Sequence, residues 1–584
     1  MKGFLISIMI ITTGFCEGTA QEPGGLFKPE RIYIHTDRDV YVAGDYLFYS
    51  AYLQGDYRAM SRYAYLVLRG RHNSVIAQER LEIDNRKAFG SIYLPDTLSS
   101  DVYQIVCYTN CMRNGDEVNY FKKEIIIANK FDEHLIPFDE TFNTSRPDVS
   151  SAQSPDDTAG SKSLIIRLDK RVFNPREKIS LSIQSGDIPG KSVAHLSVSI
   201  SEIVPGIAVG SSISEYFRKM NVNARVKEHG PNSCNYYPET DEPVLQGRVL
   251  PARQSGSRED SINKNNGVYT ILVSSPDSVV NMQYARTDSL GFFRLLLSRF
   301  YNGKGLFIRI KENVDATIVP DNKFNLIEPF MPSGQFNVRG IRAYLTRSQN
   351  ISLVRRNYSE LIAIDTIRRF LPSNAIPRVY YKHYSSILPA DYVELNDFAE
   401  ISKEIIPALR VRKSNGSYFS NYVTIPAQAQ ESTGPEIFLD GVPIDDVNQI
   451  IPLGSSRIKR IETLPVIRYY GDLSLNGILA VFSKGLFINN IEFKTPTLKY
   501  LALSSQPYTR PDYSEPAKDD KRIPDLRQLL LWKPDIIIYR SKELNIECSA
   551  SDLQGKYMIS VQGITSEGDP VSGSAIITIR SKSN

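Results

Sequence analysis

Three carboxylates crowd one short stretch, "EIFLDGVPIDDVNQI" (436–450): Asp440, Asp445 and Asp446, beside Gly441 and Pro443. Acids this close can do three kinds of work. They can hold a hard divalent cation through oxygen ligands. They can act as general acid and base if their environments drive their pKa values apart. Or they can serve a turn and a helix start, where a carboxylate accepts hydrogen bonds from backbone N–H groups. The local pattern points to the last. "EIFL" and "VPI" are short apolar runs separated by Asp440-Gly441. Asp-Gly is the pair selected by a type I′ hairpin turn, in which both central residues take positive φ. Asp445 or Asp446 then stands where it can cap a short following helix. The six histidines, His35, His72, His134, His195, His229 and His383, show no HxH or HExxH spacing. No GxSxG elbow, Walker loop or dinucleotide glycine pattern occurs, and without a CxxC pair zinc is not expected. Asp156-Asp157 and Asp519-Asp520-Lys521 read as solvated loops. The expectation is a protein that is not an enzyme, with no catalytic, cofactor-binding or metal-binding residue and no cofactor.

Elements must position these acids, and the composition says which kind. The 584 residues are 41% hydrophobic and 23% charged, with a net charge of +4. That is globular rather than disordered and suggests about four domains. No long basic run marks a nucleic-acid footprint. Tyrosine is abundant at 33 while tryptophan occurs once. With many Val, Ile and Thr, this favours strands. Residues 28–130 read as short strands separated by turn residues at roughly ten-residue spacing, the pattern of a β-sandwich. Residues 131–162 are a Ser/Pro/Asp-rich linker. The chain then repeats itself. "DRDVYVAGDYLFYSA" from Asp37 and "DKRVFNPREKISLSI" from Asp169 align without gaps, pairing Arg38 with Lys170, Tyr41 with Phe173, Asp45 with Glu177 and Leu47 with Ile179. The two-residue period is kept, so the same strand faces are buried, and two copies of one sandwich are expected.

At the N-terminus, Lys2, the apolar run Phe4 to Phe15 and the small residues Gly18-Thr19-Ala20 read as a secretory signal cleaved after Ala20. An apolar run of roughly 12 residues is short for a span of about 20, so no membrane-spanning segment is expected after cleavage. Phe15 before Cys16 argues against lipid attachment there. Of the later cysteines, Cys107 and Cys111 lie four apart in an apparent strand, about 13 Å if extended and too far for a bridge. Those two, Cys234 and Cys548 are expected to be mostly free.

Further on, "DYVELNDFAEISKEII" has Asp397 and Glu400 at capping-box spacing, with Phe398, Ile401 and Ile405 on one helical face. "ALRVRKSNG" and "RIKRIETL" read as strands, "NGILAVFS" as a turn leading into a buried strand. "SELIAIDTIRRFLP" is a further helix candidate within the mixed stretch 331–390.

Three resemblances follow from these motifs. "IYIHTDRDVYVAGDYLFYSAYL…GSIYLPDTLSSDVYQIVCYTN" resembles the macroglobulin-type sandwich of large secreted bacterial proteins. That family's reactive Cys-x-Glu-Gln motif is absent, so covalent protease trapping is not implied. Gly247 and Val249, then Thr287, Asp288, Gly291 and Phe293, resemble the carboxypeptidase-regulatory-like domain, a non-catalytic β-sandwich, with 251–267 departing from its shape. Leu439-Asp440-Gly441 and Pro443, then Ile458, Ile461, Glu462 and Leu464, then Tyr470-Gly471, Asn476-Gly477 and Lys484, resemble the plug domain of TonB-dependent outer-membrane receptors. In that family the plug sits inside a 22-stranded barrel. The residues after Lys484 are too few for one at roughly ten per strand.

The resemblances imply a mainly β chain: several immunoglobulin-like or macroglobulin-like sandwiches in tandem plus a small α+β plug-like unit. The expected order is a signal at 1–20, sandwiches at 28–130 and 163–239 (the second possibly completed by 520–584), and a regulatory-like sandwich at 240–330. A connecting region at 331–390, a plug-like unit at 391–490 and C-terminal sandwich strands at 491–584 follow. The expected function is non-enzymatic binding or assembly in the periplasm or at the outer membrane of a Gram-negative bacterium, with a TonB-dependent transporter as partner. The alternatives are a direct component of TonB-dependent nutrient uptake and an unrecognised peptidase or glycosidase.

Overall fold

The computed structural model describes residues 29–581 apart from 57–59, 130, 133–163, 187–192, 206, 208–209, 224–235, 252–267, 333–337, 359–375, 384, 426–433, 502–523 and 540–541. The expected signal with Cys16, residues 133–162 of the linker, His134, His229, Cys234, the 359–372 helix candidate and Asp519 to Lys521 lie outside the described residues.

The first sandwich takes eight strands: β1 (Arg31–Thr36), β2 (Val40–Val42), β3 (Tyr46–Gln54), β4 (Tyr63–Arg69), β5 (Val75–Glu82), β6 (Lys87–Tyr93), β7 (Asp101–Thr109) and β8 (Phe121–Ala128). They form two sheets, β1-β3-β6 and β2-β8-β7-β4-β5. The second begins with β9 (Leu164–Leu168), β10 (Val172–Phe173), β11 (Lys178–Ser185) and β12 (Val193–Glu202). Here the chain leaves it. Helix α1 (Ile213–Asn223) packs Ile213 and Phe217 against Tyr33 and Phe121 of the first sandwich. A third sandwich follows with β13 (Val244–Pro251), β14 (Thr270–Ser274), β15 (Gln283–Arg286), β16 (Phe292–Leu296), β17 (Gly305–Ile310) and β18 (Ala316–Pro320). Helix α2 (Val338–Tyr358) sets Tyr344 and Leu345 against Val40, Val102 and Ile126.

An α+β unit comes next: β19 (Ser385–Ile387), α3 (Phe398–Ile405), the hairpin β20 (Leu409–Ser414) and β21 (Ser417–Tyr422), then β22 (Glu436–Leu439), β23 (Val442–Pro443), β24 (Ile458–Tyr470) and β25 (Leu473–Ser483). Its main sheet is ordered β19-β24-β25-β22-β23. The chain then returns. β26 (Thr497–Leu501) pairs with β17 and completes the third sandwich, ordered β16-β13-β18 and β15-β14-β17-β26. β27 (Leu529–Tyr539), β28 (Glu543–Ser549), β29 (Gly555–Thr565) and β30 (Pro570–Ile579) close the second, ordered β9-β11-β28 and β10-β30-β29-β12-β27.

If β9–β12 stand for β1–β4 and β27–β30 for β5–β8, the second sandwich has the strand order of the first. The hairpin that joins β4 to β5 through residues 70–74 is replaced between β12 and β27 by residues 203–528. The mainly β architecture is therefore nested: the α+β unit sits inside the third sandwich, and both sit inside the second. Residues 529–579 belong with 164–202, whereas 497–501 belong with the third sandwich rather than with the C-terminal strands.

The repeat extends to individual contacts. Arg38 bonds Asp45 at 2.9 Å and lies 4.8 Å over the Tyr41 ring; Lys170 bonds Glu177 and lies 5.1 Å over Phe173. The Val42 N–H donates to Asp45 (3.3 Å) as Asn174 N–H does to Glu177 (2.7 Å). The copies part at one hydroxyl. Tyr41 donates to Asp37 (2.7 Å), burying it, while Phe173 cannot, and Asp169 is exposed.

The two sandwiches meet through β3 and β27. One extra residue in β27, opposite Leu196 to Val198, makes a bulge at Pro534. β27 is an edge strand, where a missing N–H is tolerated. The bulge aims the Pro534 carbonyl at the Ser50 hydroxyl (3.0 Å) and Asp535 at Lys87. Trp532, fully buried, packs on Phe48 at the same joint. Toward the third sandwich, Arg113 pairs with Asp321 (2.7 Å), while Glu239 accepts from Tyr65 (2.7 Å) and from Lys323.

The motif residues of the third sandwich follow from close packing. Asp288 accepts from the N–H groups of Leu290 and Phe292, both at 2.9 Å, and closes the turn. Gly291 holds φ +82°, and a Cβ there would sit 2.6 Å from the Val249 carbonyl, so only glycine fits.

Four local readings change. Cys111 begins a 3-10 turn rather than continuing β7, because the strand ends at Thr109. Asn476-Gly477 lies inside β25, opposite a register shift in β24; the turn between these strands is at Gly471. Helix α2 occupies a stretch that had read as mixed. Asp397 does cap α3, accepting from the Glu400 N–H at 2.8 Å, but Glu400 bonds the N–H of Asn396, one residue before the cap. Cys107 and Cys548 are buried free thiols, and burial pushes both up, Cys548 to about 12.

Burial raises the Glu79 carboxyl to about 7, against the hydrogen bond from Tyr49, and Asp37 to about 6, against Arg38 and Tyr41. These two carboxyls hold more protons in the native state between about pH 4 and 7, so they lower stability as pH rises; buried His35, lowered to about 3, opposes them below about pH 6.5 but over a smaller summed interval above pH 5. The midpoint of thermal unfolding should rise from pH 8 to pH 5, and Glu79→Gln should flatten much of that rise. Each pKa unit corresponds to about 1.4 kcal/mol.

Candidate functional site

The acidic stretch folds as β22, a two-residue turn, β23 and a short 3-10 helix, Val447–Gln449. Leu439 pairs with Val442, and Asp440 and Gly441 take φ +50° and +87°, a type I′ geometry. The turn is not free in solvent. It docks on the 275–281 loop of the third sandwich, where Asp277 N–H donates to the Asp440 carbonyl (2.9 Å). Buried Asn281 braces that loop, its side chain accepting from Ser275 N–H (2.9 Å) and donating to Ser275 O (2.8 Å). A Cβ at position 441 would lie 2.8 Å from the Val279 carbonyl. Glycine is thus required twice over, by the turn and by the docking.

The three carboxylates go separate ways. Asp440 is buried and accepts from Ser483 N–H (2.6 Å), Ser483 Oγ (2.8 Å) and Ile488 N–H (3.2 Å), tying the turn to the end of β25. Asp445 accepts from Arg309, from Thr495 Oγ1 (2.9 Å), from Lys494 N–H (2.6 Å) and from Gln449 (3.3 Å). Asp446 caps the 3-10 helix through Asn448 N–H (2.8 Å) and pairs with Lys494 Nζ (2.6 Å). Burial would raise the Asp446 carboxyl, but the bonds from Lys494 and Asn448 outweigh it and hold it below its ordinary value. All six carboxylate oxygens accept hydrogen bonds, leaving no open set for a cation. Among the described residues no group of three or more His, Cys, Asp or Glu could hold a metal ion.

Arg309 is the residue that sequence reasoning missed. It projects from β17 of the third sandwich into the α+β unit. There it bonds the Pro443 carbonyl, Asp445 and Thr495 Oγ1 (2.8 Å) and lies 4.6 Å over the Phe493 ring. Burial pulls its guanidinium below the ordinary value, with Asp445 and Glu436 acting against that. Its partner lies 136 positions away, so no spacing could have revealed the pair.

A second constellation looks like chemistry. His35 Nδ1 is 2.6 Å from Ser197 Oγ, which also accepts from Tyr52 (2.8 Å). Next to it, Lys87 bonds Asp535 and lies 2.9 Å from His195 Nδ1. Burial, with Lys123 adding, lowers His35 to about 3, so it is neutral, and its ring nitrogens face the hydroxyls of Ser197 and Ser199. Burial would raise Asp535, but His195 and Lys87 outweigh that and draw it down to about 2. His35 and Ser197 are buried between the sandwiches, out of reach of a substrate. Both clusters are joints.

No family model and no curated protein matches the chain. Among solved structures it is similar to Salmonella alpha-2-macroglobulin reacted with methylamine, at 8% identity and TM-score 0.23, over 94% of this chain and 39% of that one. It is also similar to Escherichia coli alpha-2-macroglobulin activated by porcine elastase, again at 8% and 0.23, over 95% and 44%. A CARDB domain from Pyrococcus furiosus in complex with di-metal ions matches at 10% and 0.14, over 18% and 90%. The chain thus spans less than half the length of the macroglobulins. Likenesses at these scores carry no argument about function.

Replacing one member of a buried ion pair strands the other. Arg309→Met should destabilise the junction by about 3–5 kcal/mol in denaturant unfolding. Arg309→Met with Asp445→Asn should cost clearly less than the sum of the single changes.

Proposed function

We propose that this chain is a non-enzymatic, exported protein of the Gram-negative envelope that works by binding or assembling partners at the outer membrane. The partner class suggested by the plug-like motifs is a TonB-dependent transporter. One observation carries the non-enzymatic part: the acids most suited to catalysis are all spent on the joint between the α+β unit and the third sandwich. Supporting it, the His35–Ser197 pair is sealed between two sandwiches. The remaining architecture offers broad, exposed sandwich faces, which suit contact with other proteins. The macroglobulin-like character of the first two sandwiches rests on their motifs and on the matching strand order.

Crosslinking of intact envelopes from cells carrying the tagged chain tests this reading. The expected result is co-recovery with an outer-membrane barrel protein of the TonB-dependent class. Recovery only as a soluble monomer, with no crosslinked partner, would sink it.

A further inference from the structure

One face of the third sandwich is built unlike the others. In the sheet β16-β13-β18 the side chains alternate: Leu245, Val249, Phe293 and Ile318 point inward to the core, and the other set, apart from buried Val244, points outward. The outward rows follow from the register, which places Arg248 opposite both Phe292 and Val319, Gln246 opposite Arg294, Leu250 opposite Thr317 and Val244 opposite Leu296. Leu250, Phe292, Leu296 and Val319 on this face are each 41–55% exposed, and Leu290 at its turn is 64% exposed. A solvated sheet face ordinarily carries polar side chains at such positions. Exposed apolar residues gathered on one face in this way mark a binding surface.

The charge on the face is one-sided. Its outward rows hold Arg248 and Arg294, and the carboxylates at its borders are already engaged: Asp321 by Arg113 and Gln246, Asp288 by the Leu290 and Phe292 N–H groups. The Arg248 guanidinium lies 4.9 Å over the Phe292 ring, with its Nε donating to the Leu290 carbonyl at 3.1 Å. Arg294 lies over Tyr237 at 4.5 Å. The ring contact and the Nε bond restrain the Arg248 guanidinium, whose two terminal nitrogens carry the paired N–H donors that suit a carboxylate. Arginine and aromatic residues are also the types enriched where proteins meet.

We propose that the outer face of β16-β13-β18 is a docking surface for a protein partner that presents carboxylates between apolar side chains. The apolar rows take its hydrophobic residues, and Arg248 takes a carboxylate. A second copy of this chain docking through the same face would bring Arg248 no unengaged carboxylate, since Asp288 and Asp321 at its borders already accept hydrogen bonds. Two arginines are also too few for a nucleic-acid backbone. The inference does not depend on the transporter assignment.

The test uses the full chain and two fluorescein-labelled peptides, one alternating Glu with Val and Tyr, the other with Lys in place of Glu, followed by anisotropy. The expected result is saturable binding of the glutamate peptide that weakens with added salt. It should weaken at least about fivefold in Arg248→Glu and in Phe292→Ser, with thermal midpoints unchanged because both side chains are exposed. Equal binding of both peptides, no binding of the glutamate peptide, or binding insensitive to both substitutions overturns the proposal. Self-association of the chain that Arg248→Glu abolishes would also overturn it, in favour of a second copy.

Discussion

Strand β12 pairs with β27 on one side and with β29 on the other, and everything between residues 203 and 528 hangs from that closure. A sheet whose central strand must wait for partners hundreds of residues later cannot form locally. The entropy of closing a long loop grows slowly, by about 0.6 kcal/mol per doubling, so the insertion is tolerable in equilibrium. Its demand is geometric: the inserted part must leave and return at one edge of the second sandwich. The third sandwich meets that demand by packing on the first, through Arg113–Asp321 and the Tyr65 bond to Glu239, while the first packs on the second through β3 and β27. The three sandwiches therefore brace one another.

The same logic is repeated one level down. The α+β unit leaves the third sandwich after β18 and must return at β26, beside β17. Arg309 on β17, Asp445 in the unit and Thr495 just before β26 meet at that point. The acidic turn docks close by, on the loop that Asn281 braces. Buried ionic groups are weak sources of net stability but strong enforcers of geometry once a partner is removed. Here they fix how two modules meet. What looked like a catalytic constellation is the hardware of a junction.

Much of this was legible where the determining residues lie close together in sequence. Asp440-Gly441 announced its turn, the Asp445-Asp446 pair a cap that Asp446 supplies, and Asp397 its helix, because each acts on backbone within a few positions. The Asp37 and Asp169 segments announced one sandwich type twice, and their contacts match down to Arg38–Asp45 and Lys170–Glu177. Completion of the second sandwich by 520–584 was legible only as one of two alternatives, since β-pairing between 193–202 and 529–539 leaves no local trace, and the return of 497–501 to the third sandwich was not legible. Asn476-Gly477 misled because a glycine in a long strand can sit opposite a register shift as readily as in a turn. Helix α2 did carry a trace that was overlooked: Tyr344, Leu345, Ser348 and Ile351 are buried at helical spacing amid polar residues.

The central claim is that residues 164–202 and 529–579 form one cooperative sandwich across the insertion. Native-state hydrogen exchange of the full chain along a denaturant series addresses this directly, because a cooperative unit opens as a whole. The account predicts that β9–β12 and β27–β30 lose protection at the same denaturant concentration. Loss of protection in 529–579 while 164–202 stays protected, or the reverse, would contradict it.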